Sequence, residues 1–124
     1  MSVRNHNLRN EVIYYVDILS NPEKQRDVWI ELNYPEGVEE DCLDFAIHLF
    51  FDDTSLAYKP EALIGDILVN QLEARLIKNL TDILGEIIDE LGDVPDINYL
   101  KHSKWIKVVN KARQVKEVIE ENNS

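Results

Sequence analysis

The chain has 124 residues, with 24 acidic against 13 basic side chains and a formal net charge of −11 at pH 7. That balance argues against nucleic-acid and anionic-membrane partners, which need a basic footprint, and leaves a cationic partner or simple solubility. The length fits one domain, 1–124, able to bury a core without staples, and the lone Cys42 excludes an internal disulfide framework and fits a reducing cytoplasm.

Met1 to Asn10 carries two arginines with no apolar run behind them, so it does not read as a signal peptide, and no 18-residue apolar run exists to span a membrane. Helical spacing of Leu8, Val12, Ile13, Val16 and Leu19 predicts a first helix from about Asn5 to Leu19. Asn21 and Pro22 are a cap and a first-turn proline for a second helix, to about Leu32, with Val28, Trp29 and Leu32 inward. Asn33 to Gly37 is a loop by its Pro and Gly. A third helix is expected from near Val38, its apolar stripe being Cys42, Phe45, Ala46, Leu49 and Phe50, broken at Asp52 to Ser55. Pro60 opens a short helix to about Leu68, with Gly65 a weak point.

The dominant element is the next one. Leu72, Leu76, Ile77, Leu80, Ile83, Leu84, Ile87, Ile88 and Leu91 fall on one helix face between the cap Asn70 and the stop Gly92, and Glu73 stands where a capping box places its acid. At roughly 1.5–3 kcal/mol per buried aliphatic side chain, this stripe drives assembly of a helical core. A connector follows, with a single turn at Asp96 to Leu100. Ser103 caps a last helix to about Glu121, faced by Trp105, Val108, Val109, Ala112, Val115 and Ile119, and residues 122–124 are expected to fray. The fold class is therefore all-α, a single compact domain of five to seven helices around the long helix at about 70–91. One monomer has helices enough to cover the stripe, though an uncovered remainder could pair two protomers.

Charge is polarised along the chain. Glu36, Glu39, Glu40, Asp41, Asp44, Asp52 and Asp53 occupy a stretch with no Lys or Arg, whereas Lys101, Lys104, Lys107, Lys111, Arg113 and Lys116 occupy one with no acid. The acidic stretch makes a field able to attract a basic protein, with Tyr34 and Tyr58 beside it as interface anchors. The same acids also suit a first helical turn and a solvated surface, and the two tyrosines suit turn packing. The basic helix offsets acids elsewhere more readily than it binds phosphate.

No segment spells out a reaction. His48 stands i,i+4 from both Asp44 and Asp52, a spacing that puts two ligands on one helix face, but no second histidine is near and the His-Glu-x-x-His pattern is absent. Cys42 reads as a small core residue, His6, His48 and His102 are dispersed, and the four glycines are isolated. Neither an enzyme nor a metal or other cofactor is expected, and no catalytic residue is assigned.

Ser20-Asn21-Pro22-Glu23-Lys24-Gln25-Arg26-Asp27-Val28-Trp29 resembles the Ser-Asp-Pro-x-x-Gln-Arg-Asp-Val-Trp box of a family of small helical bacterial proteins of no assigned activity. Tyr99-Leu100-Lys101-His102-Ser103-Lys104-Trp105 is similar to that family's second mark, Tyr-Leu-x-His-Pro-x-Trp, with Ser103 in place of proline. The resemblance spans roughly Leu8 to Ala112, including the segment Pro60 to Leu76. Some similar proteins look like immunity proteins of bacterial toxin systems, including contact-dependent growth inhibition. The resemblance thus implies a cytoplasmic protein that blocks a cognate toxin domain, often a nuclease, by one-to-one contact. It carries no catalytic residues, and both boxes also read as fold determinants. The alternative is a helical interaction or scaffold module with no toxin partner, which would have the same sequence signature.

Overall fold

Asn5, Asn21 and Asn70 each turn a side-chain oxygen onto the first free amides of a helix. Asn5 Oδ1 accepts from Leu8 N at 3.0 Å, Asn21 Oδ1 from Glu23 N and Lys24 N at 3.1 and 3.2 Å, and Asn70 Oδ1 from Glu73 N at 3.0 Å. The computed structural model describes residues 3–123. Within them the helices are α1 (His6–Leu19), α2 (Pro22–Gln25), α3 (Leu43–His48), α4 (Gln71–Leu91), α5 (Asp96–Leu100) and α6 (Trp105–Asn123). π-helical turns extend α2 over Arg26–Ile30 and α3 over Leu49–Asp53, and a 3-10 turn covers Pro60–Leu63. The architecture is all-α, and α6 packs against both α4 and α1.

The long helix builds the core as its spacing requires. Ile77, Leu80, Leu84 and Ile87 are fully buried and meet Val108, Val109, Ala112, Val115 and Ile119 of α6 with Val12, Val16 and Leu19 of α1 in one cluster. Leu72, expected on the stripe, is exposed, and Ala74 and Thr81 are buried instead. Glu73 does not close a capping box. It is fully buried, accepts from Val69 N at 3.0 Å and forms a two-pronged ion pair with Arg9 Nη1 and Nη2, both at 2.9 Å. Arg9 Nη1 also donates to Ile67 O at 2.9 Å. Asn122 Nδ2 donates to Glu73 Oε2 at 2.8 Å, and Asn123 Oδ1 accepts from Arg9 Nη2 at 3.0 Å. The expected fraying of residues 122–124 is therefore wrong for Asn122 and Asn123, which dock on a buried charge pair; Ser124 lies outside the described residues, as do Met1 and Ser2.

Other boundaries also differ from the expectation. Helix α3 starts at Leu43 rather than near Val38, so Glu39, Glu40 and Asp41 do not form a first helical turn. Cys42, extended at φ −160° and ψ 167°, is the residue before the helix and is only half-buried. Its amide is taken by Asp41 Oδ1 at 2.8 Å and the next one, Leu43 N, by Asp96 Oδ2 at 3.0 Å, so side chains from outside the helix satisfy its first amides. Leu32 lies beyond the π turn with φ +62° and 57% exposure. There Glu31 N and Asn33 N donate back to Arg26 O and Asp27 O, reversing the chain. The segment after Pro60 is one 3-10 turn, because Gly65 at φ +91° redirects it and Gly65 N bonds Leu68 O at 2.7 Å. His102 rather than Ser103 caps the approach to α6, its Nδ1 accepting from Lys104 N at 3.0 Å. Val28, Trp29 and Trp105 pack inward as expected; Asp27 accepts from Asn33 Nδ2 at 2.8 Å and Arg26 is exposed.

Candidate functional site

The acidic stretch 36–53 folds as a loop, the short helix α3 and its π turn, and the structure divides its carboxylates into two groups. Glu36, Glu39, Glu40, Asp44, Asp52 and Asp53 are exposed. Asp41 is not part of that face, because only 2% of it is accessible. Its Oδ2 accepts from Tyr14 Oη–H at 3.0 Å and Trp29 Nε1 at 3.4 Å, while Oδ1 holds the Cys42 amide. Asp41 is thus a peg that ties the loop to α1 and to the π turn after α2. A contact role predicted for it from sequence gives way to this internal one. Burial pushes the Asp41 carboxyl up against the pull of its three donors, and burial with the Asp41 charge pushes Tyr14 up to about 12. Burial likewise pushes the Cys42 thiol up, away from the thiolate form.

The exposed acids have few cations of their own. Among the described residues no Lys or Arg pairs with any carboxylate of 36–53, and the one basic group that does is His48, whose Nδ1 meets Asp52 Oδ2 across one helical turn. Three basic residues in or just before α6 engage other groups. Lys104 lies 3.6 Å from Glu90, Lys116 lies 2.8 Å from Asp17, and Arg113 Nε donates to Ser20 O at 3.2 Å. Lys104, just before α6, thus faces α4, and Lys116 faces α1; neither pairs with the acidic stretch.

Aromatic groups occur along and after the acidic stretch. Phe45, expected in the core, is 41% exposed, while Ala46, Leu49 and Phe50 carry the buried side of the same segment. A groove of about 210 Å³ between α1 and α3 is lined by Glu11, Tyr15, Phe45, His48, Leu49 and Asp53. Tyr58 is 61% exposed and stands edge-on to Phe51, ring centroids 6.2 Å apart. Phe51 itself packs over Gly85 of α4. Tyr34 is half-buried in a separate cleft with Tyr14, Asp17 and Val28, so it serves turn packing more than an outward contact. Sequence reasoning missed Glu11, Tyr15 and Phe45; the first two lie on another helix, and Phe45 has the spacing of a core residue.

This arrangement can attract and seat a basic surface, since carboxylates without Lys or Arg partners supply the field and exposed aromatics can be desolvated as anchors. No group of three or more His, Cys, Asp or Glu among the described residues is arranged to hold a metal ion. No helix among them is long and apolar enough to cross a membrane. Neither a curated protein nor a solved structure matches the chain. The model of a family described as a domain of unknown function, DUF7945, matches residues 3–124, and the chain belongs to that family.

Proposed function

We propose that this protein acts in the cytoplasm, without catalysis, as an immunity protein that binds and neutralises a basic bacterial toxin domain one to one. A nuclease is the toxin class that fits best, because a surface that binds nucleic acid is basic where an acidic plug would cover it. The observation that carries this reading is the set of six exposed carboxylates, Glu36, Glu39, Glu40, Asp44, Asp52 and Asp53, without Lys or Arg partners among the described residues, in a stretch that also exposes Phe45 and is followed by the exposed Tyr58. Such a field speeds encounter and rejects acidic partners, while the rings give local affinity.

The test is co-expression of this chain with the proteins encoded beside its gene, reading growth and complex stoichiometry. Rescue from a toxic neighbour, with a one-to-one complex, supports the proposal. The variant Glu39→Lys, Glu40→Lys, Asp44→Lys, Asp52→Lys is then expected to associate about tenfold or more slowly at low salt, with the gap closing as salt rises. Unchanged association would remove the acidic face from the contact surface. Absence of any toxic neighbour or complex would favour an interaction module of another kind.

A further inference from the structure

Helix α1 and the α3 segment each turn a row of side chains toward the other. On α1, Glu11 and Tyr15 stand one helical turn apart and share a face. On α3 and the π turn after it, Phe45, His48 and Leu49 share another, with Asp53 at the end of that turn. These six line the groove of about 210 Å³ between the two elements. Leu49 is buried, Tyr15 is half-buried, and Phe45 keeps 41% of its surface exposed.

The chemistry of the lining restricts what can fill it. Glu11 and Asp53 are exposed carboxylates, neither forms an ion pair among the described residues, and no Lys or Arg lines the groove. His48 is engaged through Nδ1 with Asp52. An apolar or acidic occupant would cover two carboxylates and give them no partner, at a cost in desolvation. Glu11, His48 and Asp53 do not converge on a metal ion, since no group of three or more such residues among those described is arranged to hold one. The space is also smaller than the roughly 300–1,000 Å³ of a small-molecule site, and so suits a single side chain. The occupant that fits is a cation on an apolar stem that can also use ring faces. Arginine meets each condition, because its planar guanidinium stacks on aromatic faces and its fork of donors matches carboxylates. Lysine brings a compact point charge without the plane.

We propose that this groove seats one arginine side chain of a basic protein partner, with its stem on Leu49, its guanidinium against the rings of Tyr15 and Phe45, and its N–H groups donated to Glu11 and Asp53. This deepens the reading of the acidic stretch as a contact surface, on which it rests, by naming the anchor that surface takes and by extending the surface onto α1. An arginine held in a recess is the kind of contact that carries much of an interface's energy, whereas the exposed carboxylates around it act mainly on encounter.

The test titrates the intact, isotope-labelled protein with N-acetylarginine methylamide at constant ionic strength and follows its NMR signals. The lysine counterpart is run alongside, as is the citrulline counterpart, which has nearly the shape of arginine without its charge. Saturable shifts at Tyr15, Phe45 and Leu49 are expected from the arginine probe, with about threefold or more weaker binding of the lysine probe and none of the citrulline probe. Glu11→Gln, Asp53→Asn and Phe45→Leu change exposed side chains, and each is expected to weaken the arginine probe about threefold. Glu36→Gln and Glu39→Gln, exposed but outside the groove lining, are expected to change it less. Absence of shifts at the groove residues overturns the proposal, and so does equal binding of the arginine and lysine probes. An equal loss from the groove variants and the outside variants also overturns it, since that is the mark of a diffuse field and not of a seat. No toxin enters the measurement, so an empty groove and a failed rescue by co-expression are separate results.

Discussion

Trp105 Nε1 donates to Gln25 Oε1 at 2.9 Å, joining the first residue of α6 to the last residue of α2 across a buried contact. Gln25 uses its other end as well, its Nε2 donating to Ile18 O and Leu19 O, both at 2.9 Å, which satisfies carbonyls at the end of α1. One amide thus fastens three helices. It also links the two sequence boxes, Ser20 to Trp29 and Tyr99 to Trp105, and gives both a structural reason to exist.

Removing either partner should expose that dependence. Trp105→Phe leaves Gln25 Oε1 buried without a donor, and Gln25→Leu leaves the indole N–H and two helix-end carbonyls unsatisfied. Each is expected to cost about 1–3 kcal/mol or more in denaturant unfolding. The double variant Gln25→Leu, Trp105→Phe is expected to lose less than the sum of the two. Strict additivity would show that the two side chains do not act as a pair.

Asp41 and Glu40 should behave oppositely despite being neighbours in an acidic run. Asp41→Ala strands Tyr14, Trp29 and the Cys42 amide, at an expected cost of about 1–3 kcal/mol. Glu40→Ala, on an exposed carboxylate, is expected to stay within about 0.5 kcal/mol of the parent. Equal effects in a melting comparison would mean that Asp41 is not the peg described.

Leu32 occupies the left-handed region at φ +62° with its side chain mostly in solvent. Relief of roughly 1–2 kcal/mol of backbone strain outweighs the added chain entropy of glycine. Leu32→Gly is therefore expected to gain about 0.5–1 kcal/mol, read as a higher denaturation midpoint. A loss of stability would show that the exposed leucine makes contacts worth more than the strain.

The Arg9–Glu73 pair sets the acid limit of the fold. Burial opposes ionisation of Glu73, but the Arg9 fork, Asn122 and the Val69 amide together hold its carboxyl below the usual range. Asp17 is held low in the same way, burial being outweighed by hydrogen bonds from Lys116 and Lys24. A depressed carboxyl contributes stability that is full above its unfolded value and lost as pH falls through its folded value, so these two groups should weaken the protein below about pH 4. Arg9→Met is expected to cost about 3–5 kcal/mol at pH 7, since it strands a buried charge. In that variant the slope contributed by Glu73 should reverse, so that mild acid restores stability. Melts of parent and variant between pH 4 and 7 decide the matter; parallel curves would mean that Glu73 is not held by Arg9.

Helix periodicity made most of the fold legible. The α4 helix and most of its stripe, the caps Asn21 and Asn70, the stop at Gly92 and the short α5 all follow from local chemistry, and apart from the exposed Leu72 the structure has them where that chemistry puts them. What could not be read locally depends on distant partners. Val38 to Cys42 has helix-like composition, but Asp41 is drawn to Tyr14 and Trp29, and the helix waits until Leu43. Glu73 has capping-box spacing, yet Arg9, far away in sequence, captures it. Phe45 has the spacing of a core residue, but Leu43, Ala46, Leu49 and Phe50 take the buried side of the segment and leave it outside. At the candidate surface the exposed acids were legible as a run of like charge; Glu11 and Tyr15 were not, because only tertiary packing brings α1 alongside α3.

The seat of Asn122 and Asn123 on Arg9 and Glu73 also fixes an order of events during synthesis. Arg9 and Glu73 leave the ribosome long before the last turn of α6 does. Until α6 is made, α1 and α4 lack the helix that covers their apolar faces, and until its last turn is made the charge pair lacks two of its hydrogen-bonding neighbours. Contacts so far apart in sequence close late, and a nascent chain holds exposed apolar surface in the meantime. Helix α6 therefore completes the core after α1 and α4 have been made, and its last turn completes the setting of the charge pair.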